Sequence, residues 1–241
     1  MSERTGVGSE PSRTPFDLET VDRLLTTTKA VRNRLDLSRP VPRELIVECI
    51  RLGCYAPNAS NAQEWHWVVV DDAAQKARVA DVYREVLVPR VTQMLAVKEA
   101  AGDAAGARIS RSILGLADRL QDVPVLVIPC YDVAAALARY ETLIPEPGPL
   151  GLSTHMDAGM FASVLPAVWS FQLALHSRGL GSVLTTAHQL RQADVAAILG
   201  LPLDWFQVAL IPVGYTTGGD FTPSPRRPVE EVVVWNRYEG G

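Results

Sequence analysis

Eighteen consecutive residues without a charge, Ala158 to Leu175 (AGMFASVLPAVWSFQLAL), limit what this chain can fold into. A helix that is apolar on nearly every face needs a bilayer, a large core or a subunit interface around it. The stretch is barely long enough to span a bilayer. Gly159, Ser163, Pro166, Ser170 and Gln172 dilute it, and no basic flank sets an orientation. It reads as a helix buried in a core or an interface, with no membrane partner. At 241 residues the chain is long enough to supply such a core.

Hydrophobic periodicity places the other elements. Phe16 to Thr27 reads as a short helix, followed by the cation-rich TKAVRNRLD. Pro42 suits a first helical turn. Leu45, Ile46, Cys49, Ile50 and Gly53 then recur on one face of a helix that must end before Pro57. APNASNAQ (56–63) is a loop by composition. WHWVVVDD (65–72), VPVLVIPCY (123–131) and FQVALIPVGY (206–215) read as strands, the second buried on both faces. Residues 73–120 read as helical with a break near AAGDAAGA, and 141–157 as a long loop. A short helix over 191–199 ends at Gly200 and Pro202. EEVVVWNRY (230–238) is β-prone and could add an edge strand or embrace a partner. With no repeat and no internal linker, the economical reading is one α+β domain over 16–241. The polar, Gly/Ser/Pro-rich residues 1–15 are expected to be a disordered tail.

A formal charge of −4 and the lack of a long Lys/Arg block argue against nucleic acid as a partner. Cys49, Cys54 and Cys130 form no CxxC pair, and the first residues hold no apolar core of a signal peptide. A reduced, cytoplasmic setting is expected.

RGLGSVLTT (178–186) resembles a nucleotide-binding glycine loop, but its context is reversed. A dinucleotide loop follows a strand and opens a helix, so that the pyrophosphate meets the helix N-terminus. Here a long helix precedes Gly179 and β-branched residues follow Gly181. Gly179 is therefore expected as a helix-ending glycine in the left-handed conformation. There is no GxxxxGK[ST], HExxH or GxSxG motif, and His66, His155, His176 and His188 lack metal-ligand spacing. No metal site is expected. The chain looks short of acid–base machinery of its own, which fits an enzyme whose cofactor performs the reaction.

Three ordered segments carry a resemblance to a known family. They are TTKAVRNRLDLSRPVPRELIVECIRLG, then APNASNAQEWHWVVV, then ASVLPAVWSFQLALHSRGLGSVLTT with ILGLP, VALIPVGY and RRPVEEVVVW after it. Together they resemble the FMN-dependent nitroreductases over about residues 25–235. The resemblance implies a nitroreductase-like fold, with a central, mostly antiparallel sheet flanked by helices. It also implies an intertwined homodimer with two FMN sites shared between subunits.

By the same resemblance, Thr28, Lys29, Ala30 and Arg32 match a cationic cluster that contacts the phosphate and the pyrimidine edge of the flavin. Thr28 stands where an Arg is common, and Ala30 replaces a Ser. Pro57, Asn58, Ala59 and Asn61 match a loop that reaches the flavin, usually from the partner. Glu64 replaces a usual Pro. Leu184, Thr185 and Thr186 match the segment along the isoalloxazine. Arg226 and Arg227 match C-terminal cations that grip the phosphate, a task suited to a planar guanidinium. Taken as bare residues, these are equally a solvated basic turn, a plain loop, an edge strand and surface arginines.

The implied activity is that of a flavoprotein oxidoreductase, a nitroreductase. It passes a hydride from NAD(P)H, with NADPH preferred, through FMN N5 to a nitroaromatic or quinone acceptor in ping-pong fashion. The flavin carries the chemistry, and no side chain is expected to be catalytic. Two alternatives stay open: a narrower reaction such as dehalogenation or flavin fragmentation, and a flavin-storage protein. Residues 84–118 and 141–155 are the candidate lid segments.

Overall fold

The computed structural model describes residues 16–140 and 155–237; the expected tail and most of the 141–157 loop lie outside them. Strand β2 (Val125–Asp132) is the spine of the sheet. It pairs antiparallel with β1 (Trp65–Val70) from Trp65 opposite Tyr131 to Val70 opposite Leu126. Its other edge pairs antiparallel with β5 (Ile211–Tyr215) at one end and with β4 (Trp205–Gln207) at the other. Strand β3 (Leu180–Ser182) completes the sheet, antiparallel to β5.

Two apolar clusters divide the alternate residues of β2, as a pleated strand buried on both faces requires. Leu126, Ile128 and Cys130 pack into one cluster. Residues of α3 (Ala73–Ala100), α4 (Ala104–Ala117) and α7 (Gln192–Leu199) complete it. Val125, Val127 and Tyr131 pack into the other, with α2 (Arg43–Gly53) and α6 (His155–His176). The remaining helices are α1 (Leu18–Thr27) and α5 (Val133–Tyr140).

The uncharged segment forms α6 as expected. Val164, Ala167, Val168, Phe171 and Leu175 of this helix are buried. Helix α2 crosses it closely at Gly53, where a Cβ would stand 2.8 Å from the Ala167 carbonyl oxygen and 3.1 Å from Phe171 Cβ. The opposite face is uncovered: Phe161, Leu165 and Trp169, four residues apart, are 37%, 38% and 42% exposed. Ala158–His176 is long and apolar enough to cross a membrane, with half of it buried inside this chain.

Two expectations need correction. The run 206–215 is not one strand: β4 and β5 are separated by Val208–Leu210. The backbone there turns to Thr185, and Leu210 and Thr185 exchange both backbone hydrogen bonds, at 2.8 and 3.1 Å. The second concerns the edge-strand alternative for 230–238: no strand forms there within the described residues up to 237. Val229–Glu231 is a 3-10 turn, and Val232, Val233, Val234 and Trp235 are exposed. β-branched residues favour a strand only where a ladder and a packed face receive them, and the described residues of this chain offer neither to that segment.

Candidate functional site

The site is built where the cationic turn after α1 meets the segment after α6. Helix α1 ends at Thr28, whose N–H and hydroxyl both return to the Leu24 carbonyl. The next residues run alongside β3: the Val31 N–H donates to the Ser182 carbonyl at 2.9 Å, and Ala30 bridges Ser182 in parallel. That approach requires glycine at 181, because a Cβ there would lie 2.9 Å from Val31 Cγ1 and 2.7 Å from Thr216 Cγ2. Gly179 ends α6 with φ of +75°, the left-handed conformation expected from the sequence. The two glycines thus serve a helix stop and a close backbone approach.

Beyond β3, Val183 is buried and Leu184 is 37% exposed. Thr185 is fixed by its bridge to Leu210 and by its hydroxyl, which donates to Tyr83 Oη at 2.9 Å. These residues form one wall of a cleft of about 560 Å³. Tyr83, Leu87 and Val91 of α3 and Ile113 and Leu116 of α4 form the other, so the hairpin flagged as a lid flanks the site. A second cleft, of about 510 Å³, is lined by Lys29, Ala30, Arg32, Arg34 and Arg108. Arg32 lines both clefts.

Arg32 is half-buried and forms no ion pair with any described residue. Burial pushes its pKa below the usual arginine value, partly opposed by Tyr83. Burial also raises the Tyr83 phenol, while its hydrogen bond with Thr185 and the charge of Arg32 act the other way. A desolvated cation without a counter-ion at the junction of an apolar and a basic cleft suits a flat ligand with an anionic end.

The other sequence-predicted residues are distributed unevenly. Lys29 reaches the second cleft, but its ammonium also donates to the Thr222 carbonyl at 2.8 Å. Arg34, not singled out from the sequence, donates to the Thr217 carbonyl at 2.7 Å and stacks 4.1 Å over the Phe221 ring. Segment 217–222 is thereby tied to the cationic turn. Arg226 and Arg227 lie further along it, exposed, and line neither cleft. The Arg226 guanidinium donates to the Pro225 carbonyl.

Pro57, Asn58, Ala59 and Asn61 also line neither cleft. Their loop sits beside α6, with the Ala59 N–H donating to Ser163 Oγ at 3.2 Å. Asn58 Oδ1 accepts from the Gln63 N–H at 3.0 Å, and Ser60, Asn61 and Gln63 hold positive φ values of 53°, 52° and 56°. Glu64 is buried, accepting from the Tyr131 hydroxyl at 3.0 Å and Arg139 Nε at 2.7 Å.

Sequence reasoning missed Tyr83, Leu87, Arg90 and Arg108. The spacing of 83, 87, 90 and 94 on one helical face was the available signal.

A five-stranded antiparallel sheet between two helical layers, with a cationic turn against its β3 edge, defines a nitroreductase-like α+β fold. The chain belongs to the nitroreductase family, an oxidoreductase family whose sequence model matches residues 25–215. It is 28% identical to an NADH dehydrogenase of Thermus thermophilus over 213 residues, covering 81% of this chain and 87% of the relative. In fold it is similar to a BluB-like flavoprotein of Clostridium difficile 630, with a TM-score of 0.62 and 21% identity, covering 92% of this chain and 100% of that one. It is also similar to iodotyrosine deiodinase bound to FMN and 3-iodo-L-tyrosine, with a TM-score of 0.58 and 22% identity, covering 89% and 97%.

Proposed function

We propose that this protein is an FMN-dependent oxidoreductase that oxidises NAD(P)H and reduces a nitroaromatic or quinone acceptor. The observation that carries the reading is Arg32, a half-buried cation without a carboxylate partner among the described residues, facing both clefts. Family membership and the likeness to an NADH dehydrogenase and to flavoproteins support it.

Bound FMN supplies the centre that takes a hydride from NAD(P)H and passes it to the acceptor. The protein's part is to bind and orient. Leu184, Thr185 and Thr186, braced by Leu210 and Tyr83, offer a fixed backbone edge for the rings. Leu87, Val91 and Leu116 exclude water from the apolar cleft. Arg32 stabilises negative charge on the ring edge. Lys29, Thr28 and the backbone at Ala30 serve the phosphate end, with Arg226 or Arg227 closing on it from the 222–228 segment.

The working unit is a homodimer. The uncovered stripe of α6 and the exposed arm Val232–Trp235 are the surfaces a second copy covers, and the loop Pro57–Asn61 beside α6 reaches the partner's flavin.

Anaerobic reduction tests this reading. Purified protein reconstituted with FMN is expected to bleach with NAD(P)H and to regain its yellow colour with a nitroarene. Bound FMN that neither NADPH nor NADH reduces would contradict the assignment.

A further inference from the structure

On α3, Val86, Arg90 and Met94 recur every four residues, share one face and all line the 560 Å³ cleft. Ile113 of α4 and Leu190 line it too. Among the described residues no Asp or Glu lines this cleft, while two arginines do, Arg32 and Arg90. Nearby arginines are neutralised: Arg84 pairs with Asp81, Arg111 with Glu99, and Arg191 with Glu85 and Asp194. Arg90 forms no ion pair with any described residue. An apolar cleft whose lining includes an exposed guanidinium, unpaired among the described residues, complements a flat apolar ring with an anionic substituent.

We infer that the α3–α4 end of the cleft is the acceptor subsite, and that Arg90 selects aromatic acceptors bearing a carboxylate. The inference rests on the proposed function for the word acceptor, but the recognition it describes is measurable without turnover. Met94 and Ile113 receive the ring, and the planar fork of Arg90 receives the carboxylate in two parallel hydrogen bonds.

Calorimetric titration of the FMN-loaded protein with benzoate and with benzamide, equal in shape and different in charge, tests it. Benzoate is expected to bind about tenfold more tightly, as a charge-assisted contact implies. R90Q is expected to remove that preference and leave benzamide binding unchanged. R111Q, which removes a charge of the same sign outside the cleft, is expected to keep it. With acceptors, KM for 4-nitrobenzoate is expected to rise about tenfold in R90Q while KM for 4-nitrobenzamide stays put.

Equal affinity for benzoate and benzamide in the unaltered protein would overturn the inference. So would a preference that survives R90Q, which would place the anion on Arg32. Adenosine 2′-phosphate binding that R90Q abolishes, with benzoate binding unaffected, would also overturn it by assigning Arg90 to the nicotinamide nucleotide. Failure of NAD(P)H to reduce bound FMN is a separate result: it would remove the acceptor role and the proposed function together.

Discussion

Val31 lies against Gly181 so closely that a methyl group at 181 would meet Val31 Cγ1 at 2.9 Å and Val31 Cβ at 3.0 Å. This contact joins the cationic turn to the β3 edge and sets where Arg32 stands. G181A therefore has to displace the turn, at a cost of about 1–3 kcal/mol from overpacking. Gly179 provides the contrast. It has open space around its Cα and needs only a residue that tolerates φ of +75°, so G179N is expected to cost less than about 1 kcal/mol. Urea unfolding of the two variants should show this order, with FMN retention lost only in G181A.

Acid should weaken the fold through His188. This side chain is fully buried, neither ring nitrogen has a hydrogen-bond partner among the described residues, and burial pushes its pKa down to about 4 from 6.5. Between those values the unfolded chain binds a proton that the folded chain refuses. Its contribution to stability is full above pH 6.5 and is lost as the pH falls towards 4, by up to about 3 kcal/mol. Burial lowers His176 in the same direction. Asp71 and Asp132 are held below 3.8 and act at lower pH. Unfolding free energies between pH 7 and 4.5 should fall in the wild type and flatten in H188L.

In the proposed homodimer, charge on the exposed face of α6 should separate the subunits without unfolding them. Leu165 and Trp169 are the residues to change, because Phe161 already packs edge-on against Phe206 at 6.0 Å. L165E/W169E is expected to sediment as a monomer with unchanged helix content and to release FMN. A double variant that stays dimeric and yellow would place the interface elsewhere.

The sequence revealed the helices well because their signals are local. Pro42, Gly179 and Gly200 mark the helix boundaries they were expected to mark, Gly53 lies on the helix face where the periodicity put it, and the uncharged run 158–175 falls within α6. The break between β4 and β5 was not visible, because Val208–Leu210 is as apolar as its flanks. What ends the strand is the competing bridge from Thr185, a contact between residues 25 apart in sequence. The site shows the same limit. The cationic turn and the 184–186 segment were legible as motifs; 184–186 lines one cleft, Lys29 and Ala30 line the other, and Arg32 lines both. The wall opposite 184–186, Tyr83 to Met94, carries no motif, because any helix face of that size and polarity could serve. Arg226 and Arg227, which the resemblance assigns to the phosphate, are exposed within one chain.

Arg32 carries the account, and its affinity for FMN is the measurement that tests it most directly. Equilibrium dialysis of the apoprotein should give one tightly held FMN per chain. R32A should weaken binding by about 1.5–3 kcal/mol, the range for hydrogen bonds to charged groups, with a smaller salt dependence than in the wild type. Identical FMN affinity and salt response in the wild type and R32A would contradict it.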